Sequence, residues 1–395
     1  MFDFEYYAPT KVVFGRQTEN EAGALVKQFG GTRVLIHFGG QSAVRSGLLD
    51  RVRASLDAAG IFHVELGGVV PNPQLEKVRE GAALAKKNNV DFLLAVGGGS
   101  VIDSAKAIAY ALAEPHHDVW ELFEHTREAK ACLPVASVLT IAAAGSEMSD
   151  GSVITNEKTG EKRAYDDDLS RPKFAIMNPE LTMTLPDYQT ESGCTDIMMH
   201  TMERYFTQNG NMELTDVIAE GLLRTVMKNA EILHSNPRDY DARAEIMWAG
   251  SLAHNGLTGC GNDGGDFASH MLEHEMGGMF HVTHGAGLAA IWPSWARYVY
   301  QNNLPRFVRY AVNVMRVKRT PDMSDEEVAL AGISAMENFY HRIGMPICMK
   351  ELGIEPTDEQ ILEMAESCAQ ATGGRQGSAR VLYQEDMVNI YRMAR

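Results

Sequence analysis

The feature that most constrains this chain is a change of period near residue 185. Before it, strand-like and helix-like segments alternate; beyond it almost no two-residue alternation remains and long helical patterns take over. Arg33–Phe38 (RVLIHF) is an apolar run ending in Gly39-Gly40, as expected of a strand buried on both faces. Gly47–Ala59 reads as a helix with Leu48, Leu49, Val52 and Leu56 along one face. Phe62–Leu66 reads as a second strand, and Pro73–Asn88 as a helix with proline at or near its first position. Asp91–Val96 (DFLLAV) is the clearest strand, stopped by Gly97-Gly98-Gly99, and Val101–Leu112 is helical. This β-α-β-α-β order predicts a parallel sheet wrapped by helices. Pro134–Val138 adds a strand, and Gly151–Thr155 with Lys162–Tyr165 predicts a hairpin around 157–161.

Pro172, Pro179 and Pro186 punctuate the join, and helices are then predicted over Thr195–Thr207, Glu213–Leu233, Ala242–Leu257 and Asp325–Arg342. At 395 residues the chain fits two domains, an α/β domain over 1–185 and an all-helical one over 186–395. No internal repeat or low-complexity segment interrupts them.

Charge and apolar patterning narrow the partners. Lys+Arg 36 against Asp+Glu 52 gives a net −16 with no basic run, which disfavours nucleic acid and anionic membrane surfaces. The longest weakly polar stretch, Pro134–Gly145, falls well short of the roughly 20 residues of a spanning helix. The N-terminal MFDFEYYAPTK carries Asp3 and Glu5 where a secretory signal would be basic, and the five scattered cysteines form no CxxC. A cytoplasmic protein with reduced thiols, acting on a small molecule, is expected.

Two groups of residues carry chemistry. Gly97-Gly98-Gly99-Ser100 lies between a strand and a helix, where glycines let backbone approach a pyrophosphate and free N–H groups attract its charge. The same three glycines also suit a plain tight turn. Ala144-Gly145-Ser146-Glu147 is a further small, hydroxyl-bearing turn. In the second half Asp196 and His200 stand four apart on one helix face. His270, His274, His281 and His284 fall within fifteen residues, where 13 His in 395 predicts about 0.5. An Asp with several imidazoles is a ligand set for Zn or Fe(II), and without cysteine a site with an open position is expected over a structural zinc. Partly exposed histidines on an ordinary helix are the alternative. Gly285-Ala286-Gly287 after His284 reads as a close-packed turn.

At these residues the chain resembles the iron-containing (group III) alcohol dehydrogenases, in their NADPH-dependent butanol dehydrogenase and aldehyde reductase branch. The resemblance runs from Lys11–Gly15 (KVVFG) through Pro71-Asn72-Pro73, Gly97–Lys106 (GGGSVIDSAK), Gly145-Ser146-Glu147, Leu185-Pro186 and Gly193–Glu203 (GCTDIMMHTME). It ends at His270–Gly285, of the form HxxxHx9HG. It implies a Rossmann-like dinucleotide-binding domain and a helical metal-binding domain of the dehydroquinate synthase-like superfamily, assembled as a homodimer. The implied metal ligands are Asp196, His200, His270 and His284, with Fe2+ or Zn2+ as the ion. His274 matches a histidine near substrate and nicotinamide, and His281 has no transferable role. Gly97, Gly98, Gly99 and Ser100 match the pyrophosphate loop with Asp103 just inside the helix. Asn72, Thr140, Ser146 and Lys162 match cofactor contacts. Ala142-Ala143-Ala144 departs from relatives that carry threonine or glycine there.

The resemblance implies an NADP-dependent alcohol dehydrogenase acting on a primary alcohol or aldehyde of the butanol type. The metal would polarise the substrate oxygen, hydride would pass to or from C4 of the nicotinamide, and His274 would relay the proton. NADP(H) is expected because the strand ending at Phe38 runs into Gly39-Gly40-Gln41-Ser42 with no carboxylate before Asp50, leaving room for a 2′-phosphate beside Ser42 and Arg45. A glycerol dehydrogenase or a dehydroquinate synthase-like lyase would share the glycine loop but not the HxxxHx9H spacing. A metal-storage protein would have no use for a phosphate-cradling sheet.

Overall fold

A computed structural model describes residues 1–208 and 211–395. Two compact units emerge, 7–184 and a second made of 1–6 with 185–395. In the first, eight strands form: β1 (Lys11–Phe14), β2 (Arg33–Phe38), β3 (Phe62–Leu66), β4 (Phe92–Gly97), β5 (Val135–Leu139), β6 (Gly151–Asn156), β7 (Glu161–Asp166) and β8 (Phe174–Met177). Six of them build one parallel sheet in the order β1-β8-β5-β4-β2-β3. The expected hairpin is β6–β7, antiparallel from Gly151↔Asp166 to Asn156↔Glu161.

Val34, Ile36, Phe92, Leu94, Val96, Val138 and Ile176 project from the sheet into a core closed by Leu25, Val26, Val52 and Leu56 of the Ala22–Gln28 and Leu48–Ala58 helices. The Leu75–Lys87 and Gly99–Ala113 helices pack together through Gly81, where a Cβ would meet Ile108 Cδ1 at 2.3 Å.

β1 and β8 lie outside the strands expected from the sequence. Each spans four residues, too short for a pattern of its own, and β8 sits between Pro172 and Pro179. Pro73 precedes its helix instead of opening it: Leu75 is the first helical residue and Gln74 the N-cap.

The second unit is helical. Its helices include Asp187–Tyr205, Glu213–Ser235, Tyr240–His254, Ala268–Phe280, His284–Val299 and Asp325–Arg342. Every residue from Gly285 to Ala296 is buried, so His284–Val299 is the central helix, apolar all round. Phe206 anchors the core beside it, 4.4 Å from Phe307 and 5.7 Å from Trp295 between ring centroids. Two expectations are corrected here. Gly285-Ala286-Gly287 is the first turn of this helix and not a loop turn, and Gly285 is pressed so closely on the Asp187–Tyr205 helix that a Cβ would lie 1.9 Å from the Ser192 carbonyl oxygen. Residues 1–6, assigned by chain order to the first domain, belong to the helical unit: Phe2 N donates to Gly261 O at 3.0 Å and Asn255 Nδ2 to Tyr6 Oη at 3.3 Å.

Candidate functional site

Helical geometry brings the metal-type donors together. Asp196 and His200 share one face of the Asp187–Tyr205 helix, His270 and His274 one face of Ala268–Phe280, and His284 opens the central helix. Asp196 Oδ1 lies 3.2 Å from His200 Nδ1, 3.6 Å from His270 Nε2 and 3.8 Å from His284 Nε2. The donor atoms of Asp196, His270 and His284 lie within 4.8 Å of one another. Asp196 Oδ1, His200 Nδ1 and His270 Nε2 are buried without a hydrogen-bond partner, although Asp196 Oδ1 faces each of the two nitrogens at these distances. Buried lone pairs that converge without hydrogen bonds are costly unless a cation sits between them. Asp196, His270 and His284 therefore fit a metal ion; His200 lies outside this group of donors but borders it, its Nδ1 3.2 Å from Asp196 Oδ1 and its ring 4.5 Å from that of His270.

Outer carboxylates orient two of these imidazoles. His270 Nδ1 bonds Glu203 Oε2, and the His270 backbone N–H donates to Glu203 Oε1 at 3.1 Å. His284 Nδ1 bonds Glu273 Oε2. Each contact ties up Nδ1 and aims Nε2 at Asp196, as in carboxylate–histidine–metal arrangements. Neither glutamate was expected from the sequence. Glu203 stands seven residues after Asp196, on the same helix face, which is the signal that could have found it.

Electrostatics follow from burial and these partners. Burial would raise the Asp196 carboxyl, yet the imidazoles around it hold it well below the ordinary carboxylate range. Burial pushes His200 down to about 4 against the pull of Asp196. At His270 burial is outweighed by Glu203 and Asp196, which raise it to about 10, so a cation and a proton compete for Nε2.

His274 stands beside the cluster, half-buried, its ring 6.2 Å from His270 and 5.6 Å from His284. With Glu273 and His284 it forms a second group of donors within 4.8 Å. His281 is exposed at the left-handed end of its helix (φ 54°) and belongs to neither group.

In the α/β unit the strand order reverses its direction of growth between β2 and β4, with β3 outside one and β5 outside the other. Phe38 pairs with Val96, so Gly39-Gly40 and Gly97-Gly98-Gly99 leave the sheet side by side at the switch point where open α/β sheets bind ligands. Gly97 ends β4, Gly98 is the extended N-cap and Gly99 begins the helix, so the glycines form a helix start and not a separate turn. Ser100 lies in that first turn, and Thr140 N donates to Gly97 O at 3.0 Å. Ser42 opens the exposed one-turn helix Ser42–Arg45. Asn72 adopts a left-handed conformation (φ 56°) between its prolines. Lys162 lies half-buried on β7, paired with Thr155.

Asp103 and Ser146 are brought together directly: Ser146 Oγ donates to Asp103 Oδ1 at 2.5 Å and accepts from the buried Lys106 Nζ at 3.1 Å. Lys106 also donates to Ser149 O at 3.0 Å and Gly151 O at 2.7 Å, clamping the helix to the chain that leads into β6.

Residues 9–179 match the family described as iron-containing alcohol dehydrogenase, and residues 190–395 the C-terminal part of the Fe-containing alcohol dehydrogenase family. The NADH-dependent butanol dehydrogenase A of Clostridium acetobutylicum is 39% identical over 393 residues, covering 99% of both chains. The NADPH-dependent aldehyde reductase YqhD of Escherichia coli is 36% identical over 357 residues, 90% of each. The crystal structure of NADH-dependent butanol dehydrogenase A from Thermotoga maritima superposes with a TM-score of 0.94 at 39% identity, covering 100% of this chain and 99% of that one.

Proposed function

Because the chain belongs to the iron-containing alcohol dehydrogenase family, we propose that it is a metal-dependent alcohol dehydrogenase and aldehyde reductase that moves hydride between NADP(H) and a primary alcohol or aldehyde of the butanol type. The observation that carries this reading is the convergence of Asp196, His270 and His284 on one point, with Glu203 and Glu273 behind the histidines.

Asp196, His200, His270 and His284 hold the ion, Fe2+ or Zn2+, both of which accept three imidazoles and a carboxylate. When bound, the ion polarises the substrate oxygen as a Lewis acid, and a bound nicotinamide supplies or takes the hydride at C4. Glu203 and Glu273 keep the protons of His270 and His284 on Nδ1, leaving Nε2 for the ion. His274, beside the cluster yet partly exposed, gives a proton to the substrate oxygen or removes one from it and exchanges it with solvent.

The free N–H groups at the start of the Gly99–Ala113 helix receive the pyrophosphate. Asn72, Asp103, Thr140, Ser146 and Lys162 complete the cofactor contacts. The names of the relatives divide between NADH and NADPH, so the choice of NADP(H) rests on residues 39–45. A Cβ on Gly39 would stand 3.4 Å from Val69 O and nothing lies within 4 Å of one on Gly40, so backbone and space are what this end of β2 offers a 2′-phosphate, with Ser42 and Arg45 following. The five thiols are all free, in keeping with a cytoplasmic setting, and a homodimer is the assembly proposed. No helix among the described residues is long and apolar enough to cross a membrane.

The test mixes purified, Fe2+- or Zn2+-loaded protein with butanal and NADPH or NADH and follows absorbance at the nicotinamide band. Oxidation of NADPH that stops on metal removal and returns on reloading is expected. No turnover with either cofactor would overturn the reading. Equal kcat/KM for the two would overturn the NADP(H) preference alone.

A further inference from the structure

The three histidines assigned to the metal are not supported alike. His270 and His284 each give one nitrogen to a buried glutamate, whereas none of the contacts of His200 is to an outer carboxylate. Its ring is instead flanked by two imidazoles, His270 at 4.5 Å and His254 at 4.1 Å between centroids.

His254 ends the Tyr240–His254 helix, and its Nδ1 accepts from Arg204 Nη2 at 3.2 Å, which puts its own proton on Nε2. The same guanidinium donates through Nη1 to the His200 carbonyl at 2.9 Å, one helical turn back, and lies over the Phe267 ring at 4.9 Å. One arginine thus ties the backbone turn that carries the ligand to the side chain that flanks the ligand's ring.

We infer that His254, held by Arg204, is the positioning residue for His200, fixing the plane of its imidazole by packing where the other two ligands have a carboxylate. This rests on the metal reading above. It has a chemical consequence. Carboxylate contacts raise the basicity of a ligating imidazole, so His200, backed by a neutral ring, is the weakest nitrogen donor of the three.

The test titrates Zn2+ or Co2+ into metal-free full-length protein in competition with a chromogenic chelator. His254→Ala should weaken metal binding by about tenfold or more, within the range found when outer partners of metal ligands are removed. It should also shift the visible bands of bound Co2+ as the His200 ring turns. His254→Phe, which restores a ring against His200, should return both affinity and spectrum towards those of the unmodified protein. Unmodified affinity and spectrum in folded His254→Ala would overturn the inference. Should His254→Ala fail to fold, His254→Leu against His254→Phe decides it: weaker binding in the Leu variant alone supports it, and equal affinity overturns it. His270→Ala separates the two readings. If that variant binds metal as tightly as the unmodified protein, the metal site itself is wrong; if it loses metal while His254→Ala keeps it, only the role of His254 falls.

Discussion

The donor cluster and the glycine loops are built by opposite means. The cluster consists of side chains, each aimed by a helix and two of them braced by buried glutamates. The loops consist of missing side chains: a Cβ on Gly98 would sit 3.0 Å from Ile141 Cβ, and one on Gly99 would sit 3.1 Å from Ala144 Cβ. A phosphate needs backbone N–H groups in close reach, and any side chain there stands in the way. A metal needs lone pairs held at fixed separations, which backbone alone does not supply here. The cluster should therefore fail when atoms are removed and the loops when atoms are added.

The largest effect belongs to the cluster. Asp196→Asn or His270→Ala should lose bound metal and lower kcat by about 10³-fold, since a Lewis acid is worth several kcal/mol and each 1.4 kcal/mol is about tenfold. NADPH binding should survive, as measured by fluorescence titration. Full turnover in either variant would break the contrast at its strongest point. His274→Ala should keep near-stoichiometric metal by elemental analysis while kcat falls about 10²-fold, the loss expected with a proton relay. Loss of metal would make His274 a ligand.

Glu203→Gln asks whether the bracing matters. It should weaken metal affinity by between about 10- and 100-fold in chelator competition, with the KM for NADPH unchanged. The smallest effect tests addition. Gly39→Asp should raise the KM for NADPH about tenfold by like-charge repulsion, moderated because this end of β2 is only half-buried. Metal content and the KM for NADH should not move; an equal loss for both cofactors would mean that steric filling, not charge, is at work.

The two regions also differ in how far they could be read from the sequence. β4 with its glycines was plain because an apolar run, a break and a new helical period fall in succession, and structure and sequence differ by one residue at each end of the strand. β1 and β8 were not, because KVVF and FAIM carry no period long enough to separate strand from loop. Around the cluster His270, His274, His281 and His284 stood out by their density, whereas Asp196 and His200 were singled out by the family resemblance. Glu203, Glu273 and His254 did not stand out, since glutamate on a helix is ordinarily solvated and only the fold shows that Glu203 and Glu273 are buried. Burial is a property of pairs of segments far apart in the chain, such as the Asp187–Tyr205 and Ala268–Phe280 helices, and no local window contains it.

The pairing of β1 with β8 has a kinetic consequence. Lys11–Phe14 has a single neighbour in the sheet, and that neighbour is not made until residue 177. At about 5–20 residues per second, a ribosome leaves the first strand without its partner for on the order of ten seconds or more, while β2 to β4 already have theirs. Closing this loop is a long-range step that local contacts cannot hasten, and parallel pairings of this kind are intrinsically slow. Until it closes, the outer edge of β5 is open as well, because β8 lies between β1 and β5. The nascent chain thus carries the unsatisfied edge of β1 through most of the synthesis of its first unit, joined by that of β5 once residue 139 is made, a window in which a holdase chaperone has a defined target.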